Sequence, residues 1–181
     1  MREVDPRTRL SRRFILKATA AVAPAVAVSS ALGISIEDAW AEGGALDPAT
    51  MKTLVKVARD IYPHDFLGEV YYITAIKPWN DKAAADPAVK AMLTGGVQRL
   101  DASARDRHKV PYGEVAWEED RVALLRGIEE TEFFKKLRSD LVVSLYNQKD
   151  LWPKFGYEGA SADKGGYLHR GFDDISWLPK G

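Results

Sequence analysis

Apolar positions recur at helical spacing through most of the chain beyond residue 45. Met51, Leu54, Val55, Ala58, Ile61 and Tyr62 form one stripe, with Lys52, Lys56 and Arg59 outside it, so the spacing predicts an amphipathic helix. Leu46-Asp47-Pro48 supplies its start: Asp47 caps the free amides, Pro48 fits the first turn and Leu46 can staple onto Met51. Pro63 stops it, and the turn Tyr62-Pro63-His64-Asp65 is expected to bring His64 and Asp65 together at the mouth of a bundle. Residues 69–77 are two-sided. Their β-branched and aromatic side chains suit a strand, whereas Val70, Ile73 and Ile76 suit a helix face. Every neighbour is helical and a lone strand has no partner, so a helix ended by Pro78 is expected.

Asp86-Pro87 repeats the capping signal ahead of a stripe of Val89, Met92, Leu93, Gly96, Leu100 and Ala104. Gly95-Gly96 weakens that helix by about 1 kcal/mol per glycine relative to alanine, and a close crossing with another helix is the expected compensation. Residues 109–113 break the pattern. A helix over 117–128 follows, with Glu118, Glu119 and Asp120 at its positive end and Arg121, Leu124, Leu125 and Ile128 on one side. Thr131 caps the next, whose Phe133, Leu137, Leu141 and Leu145 recur every four residues as core. A short turn of helix over 151–155 is closed by Gly156.

Beyond it the periodicity ends. Residues 157–181 hold five glycines among Tyr157, Tyr167, Phe172 and Trp177, too many rings for a disordered tail and too many glycines for a helix. The expected fold is all-α, a compact helical bundle over residues 42–156 with an extended, ordered C-terminal arm over 157–181. Glycine backbone and large rings suit close approach to another surface, so Tyr157, Tyr167, His169, Arg170, Phe172 and Trp177 are the candidate partner-binding residues.

Residues 1–41 have a different pattern. Ser11-Arg12-Arg13-Phe14-Ile15-Leu16-Lys17 precedes an Ala/Val run over 18–32, and Ala39-Trp40-Ala41 follows. A basic leader, paired arginines, a mildly apolar run and an A-x-A site in that order make a twin-arginine export signal, with Arg12, Arg13, Phe14, Ala39 and Ala41 as its working residues. The mature chain is then expected to start near Glu42. The apolar run is 15 residues long and interrupted by Pro24, short of the roughly 20 strongly apolar residues that a membrane span needs. A periplasmic location, reached in the folded state through the twin-arginine translocase, is the expectation.

Charge and residue types narrow the chemistry. The chain carries 26 basic and 26 acidic residues, and without the leader 20 and 22, so no basic field points to nucleic acid. It has no cysteine, which removes disulfides, thiolate catalysis, iron–sulfur ligation and covalent haem attachment. His64, His108 and His169 stand apart without metal-ligand spacing. The Gly165-Gly166 region lacks the strand and helix of a phosphate cradle, and Glu158, Asp163, Asp173 and Asp174 lack the spacing of a calcium loop. No catalytic, cofactor-binding or metal residue is expected in this chain.

Ser11-Arg12-Arg13-Phe14 with its leader, Ile61-Tyr62-Pro63, Gly96-Val97-Gln98-Arg99-Leu100-Asp101, Leu124-Leu125 before Phe133-Phe134, and Leu145-Tyr146-Asn147 leading into Phe155-Gly156-Tyr157-Glu158-Gly159 together resemble the small subunit 3 of the gluconate 2-dehydrogenase family. The resemblance implies a membrane-associated complex. In it, an FAD-containing large subunit of the glucose-methanol-choline type oxidises a sugar, sugar acid or alcohol, and a c-type cytochrome subunit with haem c passes electrons onward. It implies a small subunit that serves export, maturation and stabilisation of the flavoprotein and has no catalytic residues of its own, as is expected when a cofactor carries the chemistry elsewhere. Two other classes remain open on the residues alone. One is a small periplasmic enzyme using His64 and Asp65, with His169 nearby; the other is a ligand-binding module with a pocket lined by Trp79, Trp117 or Trp152.

Overall fold

The computed structural model describes residues 44–169. The export-signal residues Arg12, Arg13, Phe14, Ala39 and Ala41 lie outside them, as do Arg170, Phe172 and Trp177 of the arm. Within the described residues the chain forms six α-helices and no strand. Helix α1 (Pro48–Ile61) begins as its sequence dictates: Asp47 Oδ1 accepts from the Thr50 amide at 2.9 Å and Oδ2 from the Thr50 hydroxyl at 2.6 Å. Burial works to raise the Asp47 pKa, but the bonds from Thr50 outweigh it and hold the carboxyl below its ordinary value, so the cap stays ionised.

Helix α2 (Glu69–Ile76) confirms the helical choice for that segment, but with a different face. Tyr72, Ala75 and Ile76 are buried while Val70 is exposed, because the Tyr72 hydroxyl reaches the Tyr62 carbonyl at 2.7 Å and turns that side of the helix inward. Pro78 ends α2 and at once starts α3 (Pro78–Ala85), a helix the periodicity did not predict. Proline lacks the amide that the first turn leaves unbonded anyway, so it opens a helix as readily as it closes one. Only Trp79 and Ala83 of α3 are buried, too few for a recognisable stripe.

Helix α4 (Pro87–His108) is the longest, capped by Asp86 at the Ala88 amide. It ends at Lys109, whose left-handed φ of 65° is the one positive value at a non-glycine residue within the described chain. A 3-10 turn (Tyr112–Glu114) leads to α5 (Glu118–Arg126), and Thr131 caps α6 (Glu132–Ser144) at the Phe134 amide. A 3-10 helix (Lys149–Phe155) closes on Gly156 at φ 70°.

Helix α1 is central: it packs on α2, α4, α5, α6 and the Tyr112 turn. Its burial therefore exceeds one stripe, and Val57 and Asp60 on a second side are buried with Met51 and Leu54. Val57 joins Leu100, Ala104, Tyr112, Val115, Leu124 and Leu125 in a continuous core cluster. Each large apolar side chain so buried contributes on the order of 1.5–3 kcal/mol. The expected close crossing exists between α4 and α6, where the Phe133 ring lies against Gly96.

The arm departs from expectation where it is described. Residues 157–169 are not extended: Ser161–Lys164 is a 3-10 turn and turns continue beyond it. Gly159, Gly165 and Gly166 supply the left-handed backbone, at φ 98°, 77° and 73°, that folds the segment back on itself.

Candidate functional site: an aromatic face

The turn after α1 carries His64 and Phe66, and the segment after α6 carries Tyr146 and Phe155. Tertiary packing brings these two pairs of rings together from 80 or more residues apart in sequence. His64 Nε2 and the Tyr146 hydroxyl are 2.7 Å apart, and the His64 ring meets Phe66, Tyr146 and Phe155 at centroid distances of 5.6, 5.6 and 5.1 Å. Phe155 in turn contacts Phe66 at 5.2 Å and Tyr146 at 5.5 Å, both edge to face. Such pairs add about 0.5–1.5 kcal/mol each beyond their buried area. A cluster of this kind belongs in a core, yet Phe66 is 55% and Phe155 40% exposed.

The face extends further. Val142 and Val143, on the outer side of α6, are 52% and 63% exposed and line a shallow groove with Tyr146, Trp152, Phe155 and Tyr157. Trp152 joins it to the arm. Its indole donates to the Tyr146 carbonyl at 3.0 Å, its ring packs on Tyr157 at 5.2 Å, and Gly159 passes so close that an added Cβ would sit 3.4 Å from it. The root of the arm is thereby fixed to the bundle beside the groove.

The electrostatics of the face are those of neutral groups. Burial and then the Arg59 charge push His64 below its ordinary value, while burial and then Tyr62 and Tyr72 push the Tyr146 hydroxyl up. At neutral pH this is an uncharged imidazole bonded to an uncharged phenol, a pair that fixes ring orientation and generates no nucleophile. Asp65 is not part of it: its side chain is fully exposed and lies 3.9 Å from Arg59. His169 is exposed at the end of the described chain, and His108 pairs with Asp120 at 3.9 Å. The acid–base set of His64, Asp65 and His169 therefore does not assemble, because the Pro63 turn sends the two neighbours in different directions.

A pH dependence follows from His64. The unfolded chain binds a proton on this ring more readily than the folded one, so its contribution to stability is complete above about pH 6.5 and is lost as pH falls below that value. Melting temperature measured from about pH 7.5 down to 5 should fall more steeply for the parent than for His64→Gln. Parallel curves would show that the ring is freely solvated.

Of the candidate partner-binding residues within the described chain, Tyr157, Tyr167 and His169 are exposed, and of these three Tyr157 lines the groove. The three tryptophans considered for a pocket are scattered: Trp79 is buried on α3, Trp117 is 76% exposed at the start of α5, and only Trp152 lines the groove. Sequence reasoning missed Phe66 as a surface residue, and valued Tyr146 and Phe155 only for their place in a motif. The available signal was a phenylalanine in each of two polar turns with a histidine beside one of them.

Among the described residues no group of three or more histidine, aspartate or glutamate side chains converges as a metal site, and no helix is long and apolar enough to cross a membrane. No protein-family description, characterised protein or solved structure matches the chain.

Proposed function

We propose that the chain is a non-catalytic small subunit of an exported FAD-dependent dehydrogenase complex, of the gluconate 2-dehydrogenase type. In that complex it escorts and stabilises a flavoprotein that acts on a sugar, sugar acid or alcohol and is served by a c-type cytochrome. Two lines support this reading. The leader, with Arg12 and Arg13, is of the kind that exports folded chains together with bound partners. The observation that carries it is the aromatic face: Phe66, Phe155, Val142, Val143 and Tyr157 present contiguous apolar surface of the kind that marks protein–protein contact. Aromatic rings held rigid by one another bind at low entropic cost, and the arm leaves the bundle at this same face. The flavin and its base would reside in the large subunit, so this chain needs neither.

The experiment combines export and binding. With Arg12 and Arg13 both replaced by lysine, this chain and the flavoprotein are expected to remain together in the cytoplasm. With Phe66→Ser and Phe155→Ser, the chain is expected to stay helical by circular dichroism yet lose the flavoprotein in pull-down, at roughly 2 kcal/mol or more per ring. Normal periplasmic flavoprotein in the double lysine variant would sink the escort role. Undiminished retention by the folded serine variants would remove the aromatic face from the interface.

A further inference from the structure

Trp79 and Lys82 lie about one turn apart on α3, and Asp140 and Ser144 lie one turn apart on α6. Lys82 joins the two helices: its Nζ is 2.5 Å from Asp140 Oδ1 and 4.1 Å from the centroid of the Trp79 ring. Two residues of this contact, and a third one turn along α6, carry buried side-chain atoms without a protein partner, namely Trp79 Nε1, Asp140 Oδ2 and Ser144 Oγ. Trp79 is 4% exposed, so bulk solvent does not reach its indole N–H. Buried polar atoms in folded proteins are bonded in the large majority, and one left unmet costs more than a bond contributes.

The three atoms complement one another. An indole N–H only donates, a carboxylate oxygen only accepts, and a hydroxyl does both. A water molecule among them accepts from Trp79, donates to Asp140 and exchanges a third bond with Ser144, which is the usual number for an internal water. A metal or ammonium ion fits poorly, because Lys82 already supplies the positive charge beside Asp140. We propose that α3 and α6 enclose a site for a single structural water, held by Trp79, Asp140 and Ser144. The site matters for the start of the domain. Asn80, next to Trp79, accepts from the Leu46 amide through Oδ1 at 3.1 Å, so the water fixes the helix on which residues 44–46 are seated.

The test uses the full-length chain. A crystal structure that orders internal solvent should show a density peak within hydrogen-bond range of at least two of the three atoms. In solution, the Trp79 indole proton, assigned by its loss in Trp79→Phe, should show a nuclear Overhauser effect to long-lived water. Ser144→Ala should lower the melting temperature by a few degrees although alanine is the better helix former. An unchanged or raised melting temperature would overturn the proposal, since removing a hydroxyl that bonds nothing is neutral or favourable. A structure in which Trp79 Nε1 bonds directly to Asp140 or Ser144 would overturn it as well.

Discussion

Replacing Asp60 by alanine is expected to cost about 3–5 kcal/mol, enough to unfold much of a domain whose total stability is typically about 5–15 kcal/mol. Asp60 lies on the second buried side of α1, its side chain entirely out of solvent, and faces Arg121 of α5, 6% exposed. The guanidinium binds the carboxylate with two donors, Nε at 2.8 Å and Nη2 at 2.9 Å, while the Tyr112 hydroxyl adds a third bond at 2.6 Å. The remaining Nη1 is bonded to the Val115 and Ala116 carbonyls at 2.8 and 3.1 Å. Every charge is matched. The hydrogen bonds that Arg121 donates to Asp60 raise its pKa against burial, and burial followed by the Asp60 charge raises that of Tyr112, so arginine stays charged and tyrosine neutral at any working pH.

Removing Asp60 strands a buried guanidinium, whereas removing both charges takes these bonds only from neutral groups, the Tyr112 hydroxyl and the Val115 and Ala116 carbonyls. Asp60→Leu with Arg121→Met should therefore recover most of the stability that either single substitution loses. Urea unfolding of the three variants decides it. A loss below about 1 kcal/mol in Asp60→Ala would mean that the pair behaves as a solvated surface bridge.

The glycine pair of α4 should respond in opposite directions. A Cβ at Gly96 would sit 2.2 Å from the Phe133 ring, while one at Gly95 meets nothing within 4 Å. Gly95→Ala is expected to stabilise by up to about 1 kcal/mol through helix propensity. Gly96→Val must push Phe133 out of the α4–α6 crossing, and about 3 kcal/mol or more is the expected loss. Thermal melts of both variants provide the check. Equal effects would show that α6 can shift away from α4 without penalty.

Much of the architecture was legible because its signals are local. Asp47-Pro48, Asp86-Pro87 and Thr131 mark helix starts by bonding amides two or three residues on, and the Leu137–Leu141–Leu145 spacing states its own face. What escaped was set by long-range packing. Helix α3 has two buried residues and so no stripe, and α2 shows Tyr72 rather than Val70 to the core because of a bond to the Tyr62 carbonyl. The Asp60–Arg121 pair did leave a trace. Arg121 falls on the apolar side of its helix with Leu124 and Leu125, although nothing local in the sequence names Asp60 as its partner. For the aromatic face the trace is confined to the two turn phenylalanines, since His64 and Tyr146 are 82 residues apart and only the fold makes them neighbours.

The position of Asp60 also sets a timetable for synthesis. Its partners are residues 112 and 121, so α1 has leave to sink its carboxylate into the core only after α5 has emerged from the ribosome. The bonds that fix the turn beyond it come later still, to the Arg138 carbonyl and Tyr146. While the nascent chain is shorter than that, α1 has an apolar stripe only partly covered and an acid with no base. On the proposed export route, a translocase that accepts only folded cargo would then be withheld from a half-made chain by the reach of one arginine.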